Sequence, residues 1–428
     1  MNWLLEIPLA VRLAALFAMG ACVGALVNLG AYQFALDARP ISPWSRPAPQ
    51  APPRRWFDRL PIVGWLGLRR ESPLHGAAFW LRPMAVELAC GLGLAALYWW
   101  EVGLSGLILP GVRPPSAAAL HAQYVCHVVL IGLMLIGSLI DLDERIIPDS
   151  VTVPGTLFAL AAAALCPWSL LPDLKRLPQA AAMANLLGLA PVNPQPDFLR
   201  LTSPNAWPEW LGGFPHAGPL LIGLACWWLW CAALMHRTWY TRHGLVRAVA
   251  LLLARLRKDQ STGRIVVLGL IGSAGIVAGW FLGSDYWAGL LTALVGMVAS
   301  GGLVWLVRII GTAVLDREAM GFGDVTLMGM IGAFLGWQPS LVVFFLAPLA
   351  GLVLGLLTLV LRREREIPYG PFLCLAAVLV IVRWAPVWEW VYPVFALGII
   401  VPLVVLACLV LMALMLGIWR LIKERLFA

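Results

Sequence analysis

Carboxylates are scarce in this chain, because only 12% of its 428 residues are charged. Even so, Asp141, Asp143, Glu144 and Asp149 cluster where one long apolar run ends. An ionised acid at the end of an apolar run costs free energy. Such an acid is therefore expected to cap a helix, to pair with a cation or to take part in chemistry. Asp149 follows a proline and precedes another apolar run, so a first-turn helix acid is one interpretation. Asp143 and Glu144 are open to interpretation as solvated loop acids or as acids that meet a basic substrate.

A second acid, Asp324, follows Gly321 and Gly323 and opens another apolar run. The glycines let the backbone bend and let another chain approach closely. Asp324 is interpretable as a helix cap or as a reactive acid. Paired with Asp141 it indicates aspartyl chemistry, because two close carboxylates share one proton. The ionised member then activates a water as general base, and the protonated member polarises the scissile carbonyl and later protonates the leaving amine.

The elements that carry these acids must be membrane helices. Hydrophobic residues make up 61% of the chain and the mean hydropathy is +0.85, which excludes a soluble globular protein and a disordered chain. None of the eight cysteines forms a CxxC pair, which argues against a disulfide or zinc scaffold. We predict an all-α polytopic bundle. Its eleven spans lie near 8–36, 84–100, 122–140, 151–166, 217–235, 265–283, 287–310, 325–337, 340–361, 371–388 and 392–418.

The cations predict the orientation of this bundle. Arginine-rich loop 37–83 and basic loop 236–264 fall on one side, which is the cytoplasmic side by the positive-inside rule, together with both acid clusters. Loop 167–216 falls on the other side. The net charge of +8 therefore reflects topology and gives no support to nucleic-acid binding. Four regions follow: 1–110 with the first two spans and the Arg/Pro-rich loop, 111–166 with the Asp141 motif, 167–284 as an insertion with two spans, and 285–428 with the Asp324 motif.

The ordered motifs resemble the type IV prepilin peptidases, which are GxGD-type intramembrane aspartyl proteases. Asp141 with Pro148-Asp149, and Gly321-Phe322-Gly323-Asp324, resemble the two catalytic motifs of that family. Four further stretches carry the resemblance: Gly24 to Asn28, Leu60 to Leu66, Arg82 to Leu88 with Glu87, and Ile367 to Phe372.

The resemblance implies a multi-pass protein of the bacterial inner membrane that removes the basic leader of type IV prepilins or pseudopilins, with lipid as its other partner. It implies that Asp141 and Asp324 are the catalytic pair and that no cofactor or metal is required for cleavage. It also implies S-adenosylmethionine as the cofactor of a second activity, methylation of the new N-terminus. The residues expected to support the site or meet substrate are Asp143, Asp149, Gly321, Gly323, Glu87 and Asn28.

The chain departs from the family pattern in its first loop. Family members usually carry two CxxC pairs there, whereas loop 37–83 contains no cysteine, so thiolates cannot bind zinc in it. This departure also argues against the methyl-transfer activity. We expect the loop to be ordered instead by aromatic residues packing on the membrane surface, namely Trp44, Trp56, Phe57 and Trp65. Its arginines would pair with lipid phosphates or with Asp58, Glu71 and Glu87. A second departure is Thr326, which stands where the family usually has lysine.

Two other functions are compatible with the same acids. A proton-coupled transporter would use Asp141 and Asp324 as a relay, but its acids should lie near the middle of the membrane and no internal repeat is evident. An inactive scaffold for pilus or secretion assembly would have no need of both acids in complete motifs.

Overall fold

The protein is helical throughout, apart from one small antiparallel ladder in which β1 (Pro172–Asp173) pairs with β2 (Asp197–Phe198). The predicted all-α class is confirmed. The computed structural model describes residues 6–37, 41–47, 49–109, 112–174, 196–235, 260–315, 320–360 and 368–427. Residues 175–195 of the long loop and most of the basic segment 236–264 lie outside these ranges.

The helices fall into an N-terminal group, an inserted pair and a C-terminal group. The first group is α1 (Leu9–Gln33), α2 (Val63–Leu68), α3 (Ser72–His75), α4 (Leu81–Tyr98), α5 (Ala117–Glu144) and α6 (Asp149–Leu165). The inserted pair is α7 (Ala217–Leu234) and α8 (Gln260–Leu282). The last group is α9 (Ser284–Leu315), α10 (Phe322–Leu335), α11 (Trp337–Val360), α12 (Gly370–Val382), α13 (Trp384–Phe395) and α14 (Ile400–Phe427). Short non-α turns cover Trp56–Arg59, Arg69–Glu71, Trp99–Gly103, Pro167–Ser169 and Glu209–Leu211.

Seven of the described helices are long and apolar enough to cross a membrane, or up to eight if one bent pair counts as a single span. Three shorter apolar helices, at Asp149–Leu165, Phe322–Leu335 and Trp337–Val353, accompany them. Together these segments match the eleven predicted spans one for one. The predicted polytopic bundle is therefore confirmed.

One predicted span has the wrong shape. The sequence predicted a continuous helix over 371–388, but α12 and α13 meet at an angle of 95°. Pro386 explains the break, because a proline inside a helix lacks an N–H and clashes with the carbonyl four residues earlier. In the first turn of the new helix α13 the same proline is tolerated. A second break follows at Gly398, whose φ is +60°, before α14 begins.

The short helix α10 lies at the centre of the bundle. Every residue from Asp324 to Leu335 is buried, as expected for a helix that is apolar on all sides. It packs against α5, α6, α9, α11 and α12. Glycines allow the closest of these approaches: a Cβ on Gly296 of α9 would lie 2.3 Å from the carbonyl oxygen of Gly332. Helix α10 is thereby held from all sides, with its first turn carrying Asp324.

The two long loops lie at opposite ends of the bundle. At one end, Arg82 of the first loop pairs with Asp143 at the end of α5. At the other end, the described part of loop 167–216 packs on the helix ends, where Gln338 donates a hydrogen bond to the carbonyl of Arg200 over 2.9 Å and Trp384 donates to that of Pro172 over 2.8 Å. Helices α7 and α8 pack on each other and on α9. The insertion therefore packs along α9, and the C-terminal part of α7 also faces α10 across a groove.

Candidate active site

Asp141 lies in the last turn of α5, and its side chain is 4% exposed. The helix ends at Arg145, which adopts a left-handed conformation with φ of 58° and donates its N–H to the Asp141 carbonyl over 2.8 Å. The backbone of Gly370, at the start of α12, hydrogen-bonds to the Asp141 carboxylate. The second oxygen, Oδ2, is buried and has no hydrogen-bond partner among the described residues. This oxygen is therefore free to bind a water or a peptide.

Asp324 lies in the first turn of α10, three residues after the N-cap residue Gly321. The backbone N–H of Gly321 donates to the Asp324 carboxylate, an arrangement that forms half of a capping box. The capping interpretation is thus correct, and it does not exclude chemistry, because a carboxylate has further lone pairs. Thr326, which replaces the expected lysine, turns its hydroxyl back to the carbonyl of Gly323 over 3.0 Å.

A single hydrophobic residue between α5 and α6 joins the two acid-bearing helix ends. Ile147 packs against Gly323, where an added Cβ would lie 2.9 Å from its own Cβ. The same side chain lies against Gly370, where an added Cβ would lie 2.8 Å from Cδ1. Asp141 and Asp324 lie within electrostatic range of each other, and the thiol of Cys374 lies within range of both. The structure therefore brings the two predicted catalytic acids into one buried site.

Tyr369 also borders this site, just before α12 begins. Burial, reinforced by the negative charge of Asp324, raises the pKa of its phenol to about 12. The tyrosine therefore stays protonated at neutral pH and can donate a hydrogen bond. In the sequence, Tyr369 and Gly370 stand out only as part of a motif, and nothing marks Ile147 as a residue of the site. A proline-flanked Tyr-Gly pair at the start of a helix was the available signal for the first two.

The remaining acids of the first cluster lie outside this pair. Asp143 accepts two hydrogen bonds of 2.8 Å from Arg82, which gives it a partner within the chain rather than leaving it for substrate alone. Glu144 accepts the backbone N–H groups of Leu36 and Asp37. Asp149 is the exposed first residue of α6, which confirms its interpretation as a first-turn acid.

Asn28 and Glu87 serve the first loop and not the acid pair. Glu87 is 1% exposed and accepts hydrogen bonds from the Trp65 indole over 2.7 Å, from Asn28 over 3.3 Å and from the backbone N–H of Ile62. Asn28 also donates to the carbonyl of Pro83 over 2.9 Å. Three of the sequence motifs therefore meet at one buried carboxylate that fastens the loop to α1 and α4.

Ion pairs hold the outer part of the same loop. Arg70 pairs with Asp58 and Arg54 pairs with Glu71, and both acids are almost fully buried. Burial alone would raise the pKa of Asp58, but the hydrogen bonds from Arg70 and from the backbone of Arg55, with the nearby charges, lower it below its ordinary value. The predicted pairing is confirmed for Asp58 and Glu71. It is wrong for Glu87, whose described partners are Trp65, Asn28 and backbone.

The tryptophans of the loop differ in their burial within the protein. Trp65 is 1% exposed, whereas Trp56 is 78% exposed. Within the described ranges, no group of three or more His, Cys, Asp or Glu residues is placed to hold a metal ion.

We expect Trp65→Ala to destabilise the protein more than His75→Ala. Loss of a buried indole costs about 3–5 kcal/mol, and Glu87 would lose a donor. His75 is partly exposed and lies 3.7 Å from Glu71. Thermal unfolding of both variants in detergent, with zinc analysis of the wild type, measures this. Equal losses, or zinc near one per chain, would show that something else organises the loop.

Two buried carboxylates thus meet at helix ends of a bundle whose helices are apolar enough to cross a membrane. Residues 255–356 match the type IV leader peptidase family, a range that includes Asp324 and leaves out Asp141, which lies before the insertion. The resemblance inferred from the motifs is confirmed.

Three curated relatives carry the name prepilin leader peptidase/N-methyltransferase. The protein of Myxococcus xanthus is 30% identical over 151 residues, which are 35% of this chain and 39% of that protein. The protein of Pseudomonas aeruginosa is 36% identical over 105 residues, 24% of this chain and 35% of that protein. The protein of Stutzerimonas stutzeri is 37% identical over 89 residues, 20% of this chain and 29% of that protein. The matches thus span about two fifths or less of each relative, and no solved structure matches the chain.

Proposed function

We propose that this chain is a membrane aspartyl endopeptidase that removes the basic leader of type IV prepilin-like proteins. The observation that carries the proposal is the convergence of Asp141 and Asp324 in one buried site, each with a backbone donor on its carboxylate. The similarity to leader peptidases supports the same reaction class and substrate class.

In this proposal the two acids divide the work of hydrolysis. The ionised member of the pair accepts a proton from a water, which attacks the scissile carbonyl. The protonated member donates a hydrogen bond to that carbonyl and then gives its proton to the leaving amine. Oδ2 of Asp141, which has no partner among the described residues, is suited to hold the water. The phenol of Tyr369 is a donor at the edge of the same site.

The surroundings of Asp324 suit a substrate cut beside an apolar helix. A groove of about 400 Å³ runs between α7, α9 and α10, and Phe322, Val325 and Thr326 line it on either side of Asp324. The exposed acid Asp149 and the half-exposed Asp143 stand at the same end of the bundle, where a basic leader would arrive. We place the reaction at the cytoplasmic face of a bacterial inner membrane, because the arginine-rich loop lies at this end.

Methyl transfer is not part of the proposal. The cavity between Asn28, Trp65 and Glu87 measures about 10 Å³, roughly the room for one water. The oxygens of Glu87 are already taken by donors from the chain.

The relay of a transporter has less support. Asp141 lies in the last turn of one helix and Asp324 in the first turn of another. Both therefore lie at helix ends, whereas a relay acid should lie near the middle of the membrane.

The direct test is cleavage by purified protein in detergent. A prepilin with its basic leader should be shortened to a product whose new N-terminus is identified by mass spectrometry. The mass of that product also reports methylation. An intact substrate after prolonged incubation with folded protein would refute the proposal.

The proposed membrane face has its own expected result. A reporter fused after residue 60 should give a cytoplasmic signal, and one fused after residue 205 should give an extracytoplasmic signal, because the two loops lie at opposite ends of the bundle. Two reporters measure the side of each fusion point: alkaline phosphatase is active outside the cytoplasm, and a fluorescent protein is active inside it. Signals from the same side would contradict the odd number of spans predicted between residues 60 and 205.

A further inference from the structure

Arg308 of α9 contacts the turn that leads into Asp324. Its Nε donates a hydrogen bond to the carbonyl of Met320 over 2.8 Å. Its guanidinium carbon lies 5.9 Å from the centre of the Phe322 ring, within the range of a cation–π contact. One side chain therefore holds the residues on both sides of Gly321.

Two of the residues in this turn have no side chain that could hold it in place. Gly321 and Gly323 contribute no Cβ, and glycine has more backbone freedom to lose than any other residue. Gly321 is nevertheless the residue whose N–H donates to the Asp324 carboxylate. A shift of Met320 or Phe322 would move that donor directly. The orientation of the acid thus depends on a segment that needs an external clamp.

We propose that Arg308 is a positioning residue for Asp324: by binding Met320 and Phe322 together it holds the Gly321 N–H against the Asp324 carboxylate. The inference rests on the proposed function for its effect on cleavage, and on the contacts alone for its effect on the turn. An arginine suits the task because its planar group combines a directional donor with a face that stacks on a ring.

The chain offers a closely matched control in Arg12. Its Nε donates to the carbonyl of Ile7 over 3.0 Å, and its guanidinium lies 5.8 Å from the centre of the Tyr98 ring. Arg12 is in the first turn of α1, about 30 Å along that helix from the end that meets Glu144. Arg12→Met therefore removes the same two kinds of contact at a distance from the acid pair, together with a hydrogen bond of 3.1 Å from Nη1 to the Tyr98 hydroxyl.

Hydrogen exchange followed by mass spectrometry tests the clamp without any substrate. In Arg308→Met the amides of residues 320–324 should exchange at least about tenfold faster, because the turn loses both contacts. In Arg12→Met the same amides should keep the wild-type rate. Unchanged exchange of 320–324 in Arg308→Met would overturn the clamp.

Cleavage kinetics test the consequence for catalysis. Arg308→Met should lower kcat by about 10- to 100-fold with KM changed by less than about twofold, because small misplacements of a reacting group reduce the rate steeply. The kcat of Arg308→Lys, which keeps a charge and a donor, should lie between those of the wild type and Arg308→Met. This variant carries the test if Arg308→Met fails to fold. Unchanged kcat, or an equal loss in Arg12→Met, would overturn the positioning role. Absence of cleavage by the wild type would refute the proposed function, while hydrogen exchange would still decide on the clamp.

Discussion

Asp141→Asn and Asp324→Asn should each abolish prepilin cleavage, with a loss of at least about 10³-fold in kcat. Asparagine keeps the shape of the side chain but cannot accept a proton from water or donate one to the leaving amine. The two residues act as one unit, so the double variant should lose no more than either single variant. Product formation by each purified variant, followed over long incubations, measures the effect.

The control for this experiment is Asp143→Asn. Asp143 lies two residues from Asp141, but its carboxylate points to Arg82 and not to Asp324. An exposed ion pair of this kind contributes about 0–1 kcal/mol, so its loss should leave membrane insertion and most activity intact. Near wild-type cleavage by either variant of the pair, or equal loss in Asp143→Asn, would show that the roles are assigned wrongly.

The meeting of Asp141 and Asp324 could be predicted from the sequence, because both acids stand in motifs that resemble the two catalytic motifs of one family, and the structure brings them together. The arrangement that joins the pair could not. Ile147 contacts Gly323 and Gly370, residues that lie far apart in the chain, and no local pattern encodes such a contact. Periodicity and composition describe single helices, whereas the site is made where three helix ends meet.

The roles of Asn28 and Glu87 show the same limit. Their motifs predicted importance, and a buried carboxylate does result. Its partners, Trp65 and the backbone of Ile62, belong to a loop whose fold has no periodic signal. The motifs therefore predict that Asn28 and Glu87 support the site or meet substrate, and the structure shows that they also fasten the loop.

The predicted insertion 167–284 holds two long apolar helices, α7 and α8, and the chain leaves and returns at one end of the bundle. Helix α6 ends at Leu165, and α9 begins at Ser284 beside it: a Cβ on Gly289 would lie 2.4 Å from the carbonyl oxygen of Ala163. The inserted residues thus leave and re-enter the bundle at the end remote from Asp141 and Asp324. The residues between Leu165 and Ser284 are accommodated there without displacing α6 from α10. The two acid motifs therefore stay together although a long segment separates them.

Gly370→Ala should lower kcat by about 10²-fold while leaving thermal stability nearly unchanged. A Cβ on Gly370 would lie 2.5 Å from Oδ2 of Asp141, which is closer than two such atoms can approach. The methyl group would also lie 2.8 Å from Cδ1 of Ile147. Both displaced atoms are the ends of flexible side chains, so the carboxylate and the isoleucine can rotate away at little cost to the fold. The rotation takes from the site the oxygen that we propose to hold the water.

A matched glycine separates this effect from the general effect of an added methyl group. Gly275, inside α8, has nothing within 4 Å of an added Cβ. Gly275→Ala should raise stability slightly, by up to about 1 kcal/mol, because alanine favours the helix more than glycine does. It should leave kcat unchanged. Thermal unfolding and cleavage rates of the two variants, measured side by side in one detergent, give the comparison. Wild-type kcat in Gly370→Ala would show that catalysis does not depend on the Asp141 carboxylate keeping this orientation, and the proposed placement of the water at Oδ2 would then be wrong.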